Sequence, residues 1–92
     1  MAKADLDAVR AEFGSAVLET SDFRGDETAL VAPGKVHDVL AYLKRERGYD
    51  MCVDVCGVDY PERRDRLEVV WHLFAVRAKR RIRIKARVPA EE

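Results

Sequence analysis

The chain has 92 residues, enough for one domain with a modest core, and we treat residues 1–92 as a single domain. Lys plus Arg and Asp plus Glu each number 17, so the formal net charge is zero. This balance argues against a protein that acts mainly as a polycation on nucleic acid or anionic lipid. Hydrophobic residues make up 48% of the sequence, so a packed core is expected rather than wholesale disorder.

The sequence carries no sign of secretion or of a membrane span. No apolar run approaches the roughly 20 residues that cross a bilayer, so no direct membrane insertion is expected. The N-terminus lacks the apolar core of a secretory signal. Two cysteines in so short a chain do not make a disulfide framework. These features predict a reduced, cytosol-facing protein that is either soluble or peripheral to a membrane.

The first predicted element is a helix near the N-terminus. Leu6, Val9 and Phe13 repeat at positions i, i+3 and i+7, which places them on one helical face. Asp5 is a plausible N-cap for this helix, and Gly14 follows its last apolar residue as a stop. Two short strands are predicted next, over 16–20 and 28–31, joined as a hairpin by a turn.

The second predicted helix follows the break at Pro33 and Gly34. Its apolar face is formed by Val36, Val39, Leu40 and Leu43. Basic residues crowd its last turn, where the helix dipole favours cations, and Gly48 occupies the position of a C-terminal glycine.

Three further strands are predicted after this helix. Residues 51–58 form an apolar, valine-rich run, which we interpret as a core strand. Residues 67–76 are apolar on nearly both faces, so this strand should be central, with Trp71 or its neighbours Val70 and Phe74 largely buried. Residues 81–88 alternate strictly: Ile82, Ile84, Ala86 and Val88 point one way, and Arg81, Arg83, Lys85 and Arg87 point the other.

The predicted order α-β-β-α-β-β-β favours one fold class. Two helices packed on one face of a mixed β-sheet would give a two-layer α+β fold. We therefore expect residues 1–92 to form a single α+β domain.

The cysteines are the first candidates for chemistry. On a strand, Cys52 and Cys56 would share a face about 13 Å apart, at ~3.3 Å per residue. That separation is too long for a disulfide or for one zinc ion, and a third ligand from His72 would not close the gap. We interpret them as two small thiols buried in a core strand, and we expect no metal and no cofactor.

Two carboxylates flank Gly57. Asp54 lies within an apolar strand and needs a partner, which we expect to be an arginine of a neighbouring strand, with another chain as the alternative. Asp59 is expected to cap the turn before Pro61. A stand-alone enzyme with its site around Asp54 and His72 is a further alternative, although the sequence has no nucleophile elbow and no phosphate-binding loop.

The strongest surface feature is a basic segment over 77–87. It holds seven basic and no acidic side chains, whereas residues 1–76 hold 10 basic and 15 acidic ones. One interpretation is a docking strip for an acidic partner, RNA or lipid headgroups; the other is an edge strand whose charges block unwanted pairing. The segment lacks the exposed aromatics that nucleic-acid readers usually add, so we expect no nucleic-acid partner. The predicted partner-docking residues are Arg81, Arg83, Lys85, Arg87, Asp54 and Asp59.

Three segments together resemble a known family. They are D-V-C-G-V-D-Y-P over 54–61, R-L-E-V-V-W-H-L over 66–73 and R-R-I-R-I-K over 80–85. In order and spacing they resemble a hydrophilic peripheral-arm subunit, the one designated C, of the respiratory NADH-quinone oxidoreductase, complex I. The helix over 36–47 fits the second helix of that family. The most diagnostic family motif, Glu-Arg-Glu followed by an acidic residue and Phe-Gly, comes after the last strand. This sequence ends before that motif, so the resemblance covers the N-terminal α/β portion, from either a truncated chain or a short form.

The resemblance implies a non-catalytic structural subunit of an NADH dehydrogenase that is also a translocase. Such a subunit binds no flavin and no iron–sulfur cluster, and it helps to assemble the quinone-reducing module of the peripheral arm. Its implied partners are the other peripheral-arm subunits, chiefly the one that forms the quinone pocket and is designated D. Its implied location is the cytoplasmic face of the cell membrane within the complex, or the cytoplasm if isolated.

Two questions stay open at this point. Related subunits occur in membrane-bound hydrogenases, so the resemblance does not fix the electron acceptor. The alternative from a different class is a small RNA- or anion-binding α+β module that acts through the basic strand over 77–87.

Overall fold

A computed structural model describes residues 3–23, 26–62 and 67–88. Within these ranges the elements are α1 (Lys3–Phe13), β1 (Val17–Phe23), β2 (Asp26–Val31), α2 (Val36–Arg47), β3 (Met51–Asp59), β4 (Leu67–Ala75) and β5 (Arg80–Val88). Short 3₁₀ turns at Gly14–Ala16 and Pro33–Lys35 precede β1 and α2. The predicted element order and the α+β fold class are confirmed. The first two strands are longer than predicted, and part of the turn that joins them lies outside the described residues.

The described strands form one mixed sheet in the order β1-β2-β5-β4-β3. β5 runs parallel to β2 and antiparallel to β4, and the remaining pairs are antiparallel. In the register, Lys85 lies opposite Leu30 on one side and opposite Val70 on the other. Because β5 has a neighbour on each side, the interpretation of its cations as edge-strand protection is wrong.

Glycines end both helices as the sequence predicts. Gly14 has a φ of 53° and Gly48 a φ of 78°, in the left-handed region that glycine adopts without steric cost. After Gly48, the backbone N–H of Tyr49 donates to the Leu43 carbonyl at 3.1 Å, which satisfies one of the free carbonyls of α2.

The core lies between the two helices and one face of the sheet. The helices contribute Leu6, Val9, Val36, Val39 and Leu43, and the strands contribute Ala29, Val31, Leu73, Ala75, Ile82, Ile84 and Ala86. The alternation predicted for β5 is therefore confirmed at Ile82, Ile84 and Ala86, while Val88 is half-buried.

The prediction of a buried third strand is wrong. Every residue of β3 is exposed except Cys56, which is half-buried. β3 pairs with β4 on one side, and no second strand flanks it in the described part of the chain. A local apolar run cannot distinguish a buried strand from one at the margin of a sheet, because strand order depends on distant pairing.

The prediction for the long strand is confirmed only in part. Val70 is buried, whereas Trp71 and Phe74 are half-buried. Trp71 packs against the core cluster from its margin, since its neighbours in the sheet are buried Ile84 on one side and exposed Val55 on the other.

Asp5 does not act as the predicted N-cap. It lies in the first turn of α1, where its carboxylate is buried and accepts hydrogen bonds from Arg47, Tyr49 and Arg80. Of these partners, Arg47 is the last residue of α2, Tyr49 lies two residues after it, and Arg80 is the first residue of β5. Asp5 therefore links α1 to the end of α2 and to β5 instead of capping its own helix.

Candidate partner-docking face

The sheet face opposite the two helices, which we call the open face, carries the predicted basic residues. The alternation of β5 places Arg81, Arg83, Lys85 and Arg87 on this face, because Ile82, Ile84 and Ala86 point into the core. The β4 residues Phe74, His72, Val70 and Glu68 lie directly opposite these four cations in the register. Directly opposed residues project to the same face, so β4 and β5 form a continuous surface there.

The four cations sit in different environments. The guanidinium carbon of exposed Arg81 lies 5.6 Å from the centroid of the Phe74 ring, a cation–π distance. The Nε of Arg87 lies 3.9 Å from the carboxylate of Glu68, which is buried. That distance is too long for a hydrogen bond, and the buried Nε of Arg87 finds no hydrogen-bond partner among the described residues. The positive charge of Arg87 is thus partly offset by the carboxylate of Glu68, while Arg81 faces solvent.

A groove of about 340 Å³ lies at the Arg81 end of the open face. Its side chains combine apolar and charged groups; they include Val53, Asp54, His72, Phe74, Arg81 and Arg83. A smaller pocket of about 60 Å³ lies farther along, next to Glu68, Lys85 and Arg87. The arginines of the larger groove can bind a carboxylate through their planar fork, and its apolar side chains can contact an apolar group.

Asp54 is brought to this groove, but without the arginine that we expected. It lies opposite His72, which in turn lies opposite Arg83. Asp54 Oδ1 accepts the backbone N–H of Val55 at 2.9 Å, and Oδ2 accepts the thiol of Cys56 at 3.4 Å. Within the described residues Asp54 has no ion pair, and since it is exposed its charge remains hydrated.

Asp59 lies apart from the other predicted docking residues. It is exposed at the end of β3, opposite Leu67 of β4. Leu67 has the parity of core-facing Leu73, so Asp59 does not project onto the open face. The expected cap of the turn into Pro61 by Asp59 stays a prediction.

The two cysteines differ from the prediction in both burial and direction. Cys52 is exposed and lies opposite Leu73, whereas Cys56 lies opposite Val70. The register shifts between Cys52 and Asp54, so the two thiols project to opposite faces instead of sharing one. This bulge could not be read from the sequence, because it depends on the pairing with β4.

Cys56 and His72 are close enough to suggest chemistry, with 3.6 Å between Sγ and Nε2. The hydrogen bond to the Asp54 carboxylate raises the pKa of the Cys56 thiol, and desolvation and the nearby charge act in the same direction. A thiol with a raised pKa stays protonated at neutral pH and is a poor nucleophile. The described residues contain no group of three or more His, Cys, Asp or Glu side chains placed to hold a metal ion. The geometry therefore gives no support to an enzyme site around Asp54 and His72.

Two features of this region were missed by the sequence analysis. Arg80 belongs to the basic segment but points inward to Asp5, with 2.8 Å between Arg80 Nε and Asp5 Oδ2. Its parity matches that of Ile82, and this signal could have revealed it. The contribution of Phe74 to the groove had no comparable signal, since a half-buried aromatic looks like a core residue in the sequence.

Across the described ranges, no helix is long and apolar enough to span a membrane.

Comparison with known proteins identifies the family. Residues 29–92 match the model of the respiratory-chain NADH dehydrogenase 30-kDa subunit. The chain belongs to this family. The match includes the last three residues of β2, all of α2, and the β3, β4 and β5 strands that form the open face.

Relatives of the 30-kDa subunit family extend over most of the chain. One is the NADH-quinone oxidoreductase subunit, designated C, of Geobacter sulfurreducens, which is 38% identical over 82 residues; these are 88% of this chain and 51% of the relative. The protein of the same name from Phenylobacterium zucineum is 43% identical over 67 residues, which is 72% of this chain and 31% of the relative. The chain thus spans between about a third and a half of these relatives.

A solved structure shares the fold of this member of the 30-kDa subunit family. A chain in the membrane-bound sulfane sulfur reductase, an archaeal respiratory membrane complex, superposes with a TM-score of 0.79. The match covers 95% of this chain and 49% of that one, at 20% sequence identity. At this identity the likeness concerns the fold.

Proposed function

We propose that this chain is a non-catalytic structural part of an NADH-quinone oxidoreductase, where it helps to assemble the quinone-reducing module of the peripheral arm. The observation that carries the proposal is the 38% identity to the Geobacter sulfurreducens oxidoreductase subunit over 88% of the chain. The other peripheral-arm subunits are its partners, chiefly the quinone-pocket subunit, and its location is the cytoplasmic face of the membrane.

The open face supports the proposal by its chemistry. Arg81 and Arg83 line the larger groove together with apolar Val53 and Phe74, and the carboxylates of Glu27 and Asp54 line it too, so charged and apolar groups face the same space. Protein interfaces favour this combination, because arginine and aromatic residues dominate binding energy when partners exclude water around them. The docking partner should accordingly present carboxylates next to apolar side chains.

The nucleic-acid alternative draws no support from these relatives, which are named as oxidoreductase subunits. The open face also offsets one of its cations internally, through the contact between Arg87 and Glu68. A surface that binds phosphates through counterion release would benefit from keeping all of its cations available.

The proposal is tested by measuring binding of the chain to the quinone-pocket subunit from the same source. Replacing Arg81 and Arg83 together by glutamate should weaken binding at least about tenfold, because it puts anions where the partner presents carboxylates. Replacing both by lysine keeps the charge but removes the guanidinium fork, so a smaller loss is expected. The control is Arg45→Glu at an exposed position of α2, which changes charge away from the open face and should leave binding unchanged.

Two outcomes would contradict the proposal. One is the absence of binding by the unmodified chain to the quinone-pocket subunit, alone or with the rest of the peripheral arm. The other is tight binding of a single-stranded RNA such as poly(U) near physiological salt, in the nanomolar range of specific nucleic-acid readers. For such an RNA complex, affinity that falls steeply with salt and is equal for the lysine variant would indicate phosphate contacts, because these act mainly by charge.

A further inference from the structure

β3 is a long, exposed strand at one edge of the described sheet. Its nine residues, Met51–Asp59, pair with β4 on one side, and no strand of the described chain covers the other side. A strand of this length extends about 30 Å and offers a row of backbone donors and acceptors to a further strand, except the Val55 N–H, which donates to Asp54 Oδ1 and would have to be released.

The side chains of β3 are unusually apolar for such a position. Met51, Val53, Val55 and Val58 are 48%, 61%, 52% and 39% exposed. Natural sheet margins are commonly protected by lysine or proline, and neither occurs between Met51 and Asp59. The edge strand β1 differs, because it is polar from Glu19 to Asp22, and among its described side chains Leu18 is the exposed large apolar one.

The register of β3 also suits a further strand. Its bulge lies near the start, between Cys52 and Asp54, and residues Asp54–Asp59 pair with β4 without interruption. A bulge twists the margin of a sheet and discourages pairing, but here it leaves six consecutive residues in regular geometry.

We propose that β3 is a strand-addition site, at which an extended segment of another peripheral-arm subunit pairs with Asp54–Asp59. This inference rests on the proposed function, and it adds a second contact to the one on the open face. The incoming segment carries apolar residues next to Val55 and Val58, which lie on opposite faces of the sheet, and a lysine or arginine next to Asp54. Main-chain hydrogen bonds supply affinity in this mode of binding, and alternate side chains supply specificity.

Charge decides between this occupant and a second copy of the same chain. β3 contains the acidic residues Asp54 and Asp59 and no basic residue. A second copy paired antiparallel around Val55 would put two Asp54 carboxylates on the same face, diagonal to each other and about 7–8 Å apart. Like charges in this arrangement repel, whereas a basic residue of a different chain would neutralise Asp54.

The test is amide hydrogen exchange of the unmodified chain, free and within the assembled peripheral arm. Exchange over residues 54–59 should slow at least tenfold on assembly, because a partner strand would bind the backbone there. Since this comparison uses no variant, it does not depend on how a substitution affects folding. The Glu19–Asp22 stretch of β1 serves as the internal reference and should change little.

Two variants test the same contact by affinity. Val55→Lys introduces the type of residue that protects sheet margins and should weaken assembly at least tenfold, and Asp54→Asn should weaken it by a smaller factor. Leu18→Lys is the matched control, because Leu18 is 59% exposed on the opposite margin, and it should alter assembly less than twofold.

The outcomes separate this inference from the proposed function. Normal incorporation with unchanged exchange in 54–59 would overturn strand addition and leave the proposed function intact. Failure of the unmodified chain to incorporate would overturn both. A concentration-dependent dimer of the free chain that Val55→Lys abolishes would show that a second copy takes the site, contrary to the partner named here.

Discussion

A single buried carboxylate links distant parts of the chain. Asp5 is 1% exposed; its Oδ1 accepts a hydrogen bond from Arg47 at 2.7 Å, and its Oδ2 accepts bonds from Tyr49 at 2.6 Å and Arg80 at 2.8 Å. Arg80 also donates to the backbone carbonyl of Arg47 at 3.0 Å. Burying a carboxylate is costly unless it is paired and hydrogen-bonded, and this network meets both conditions.

Removing the charge of Asp5 should be strongly destabilising. Asp5→Asn leaves two arginines without their counter-ion, and we expect a loss of about 2–4 kcal/mol in the free energy of unfolding. Urea denaturation measures this loss. The control is Asp38→Asn, since Asp38 and Lys35 lie 3.8 Å apart with both side chains more than half exposed. Exposed pairs of this kind contribute little, so a change within about 0.5 kcal/mol is expected. Equal losses for the two variants would contradict the role of the network.

The network also predicts how stability depends on pH. Burial raises the pKa of Asp5, but hydrogen bonds from Tyr49, Arg47 and Arg80 outweigh it and hold the pKa below the ordinary 3.8. A carboxyl whose pKa is lower in the folded state stabilises the fold above its unfolded pKa. This contribution should be lost as pH falls below about 4 and through the lower, folded value. Urea midpoints between about pH 2 and 6 should therefore fall more steeply for the unmodified chain than for Asp5→Asn, and parallel curves would count against the assignment.

The contribution of Tyr49 to stability depends on pH in the opposite direction to that of Asp5. Burial, followed by its hydrogen bond to Asp5, raises the pKa of the Tyr49 hydroxyl. The neutral phenol is thus favoured in the folded state, and its contribution is complete below the ordinary pKa of 10 and lost as pH rises through the folded value. Spectroscopic titration should show a tyrosine that ionises above the ordinary pKa of 10, and Tyr49→Phe should remove that step.

At the scale of elements, the end of α2 offers a clean test of backbone conformation. Gly48 has a φ of 78°, and a Cβ placed there meets no atom within 4 Å. Gly48→Ala should therefore cost about 1 kcal/mol through backbone strain alone. Gly34→Ala is the matched control, because its surroundings are equally open and its φ is ordinary. Thermal unfolding of both variants should show a lower Tm for the first only, and comparable Tm values would contradict this account of the helix end.

Elements with strong local signals could be predicted from the sequence. The periodic apolar residues of α1 and α2, their terminal glycines and the alternation of β5 are local features, and each is confirmed. The exposure of β3 could not be predicted, because β3 and β4 have similar apolar sequences and differ only in their position in the sheet. The role of Asp5 was missed for a related reason, since its partners are distant in sequence. Of the predicted docking residues, Asp54, Arg81 and Arg83 line the larger groove and Asp59 does not. This grouping depends on how β3, β4 and β5 align, which the sequence does not show.

At the scale of the whole molecule, we expect the purified protein to be colourless and free of stoichiometric metal. The described residues hold no cluster of three ligand side chains placed for a metal ion, and Cys52 and Cys56 project to opposite faces of the sheet. Absorbance spectra should lack flavin and iron–sulfur bands, and elemental analysis should give well under one zinc or iron per chain. About one metal ion per chain, retained after dialysis, would refute this expectation.

The central position of β5 has a consequence for how the fold is reached. β1 with β2, and β3 with β4, pair as neighbours in the sequence, and among the described strands only β5 joins these two ribbons. During synthesis each ribbon can pair as soon as it emerges, yet two-stranded ribbons are marginally stable in water. The sheet closes only when Arg80–Val88 has left the ribosome and inserted between β2 and β4. Until then both ribbons expose strands that can pair with other chains, so a nascent polypeptide stalled before Arg80 should be a substrate for chaperones and prone to aggregate.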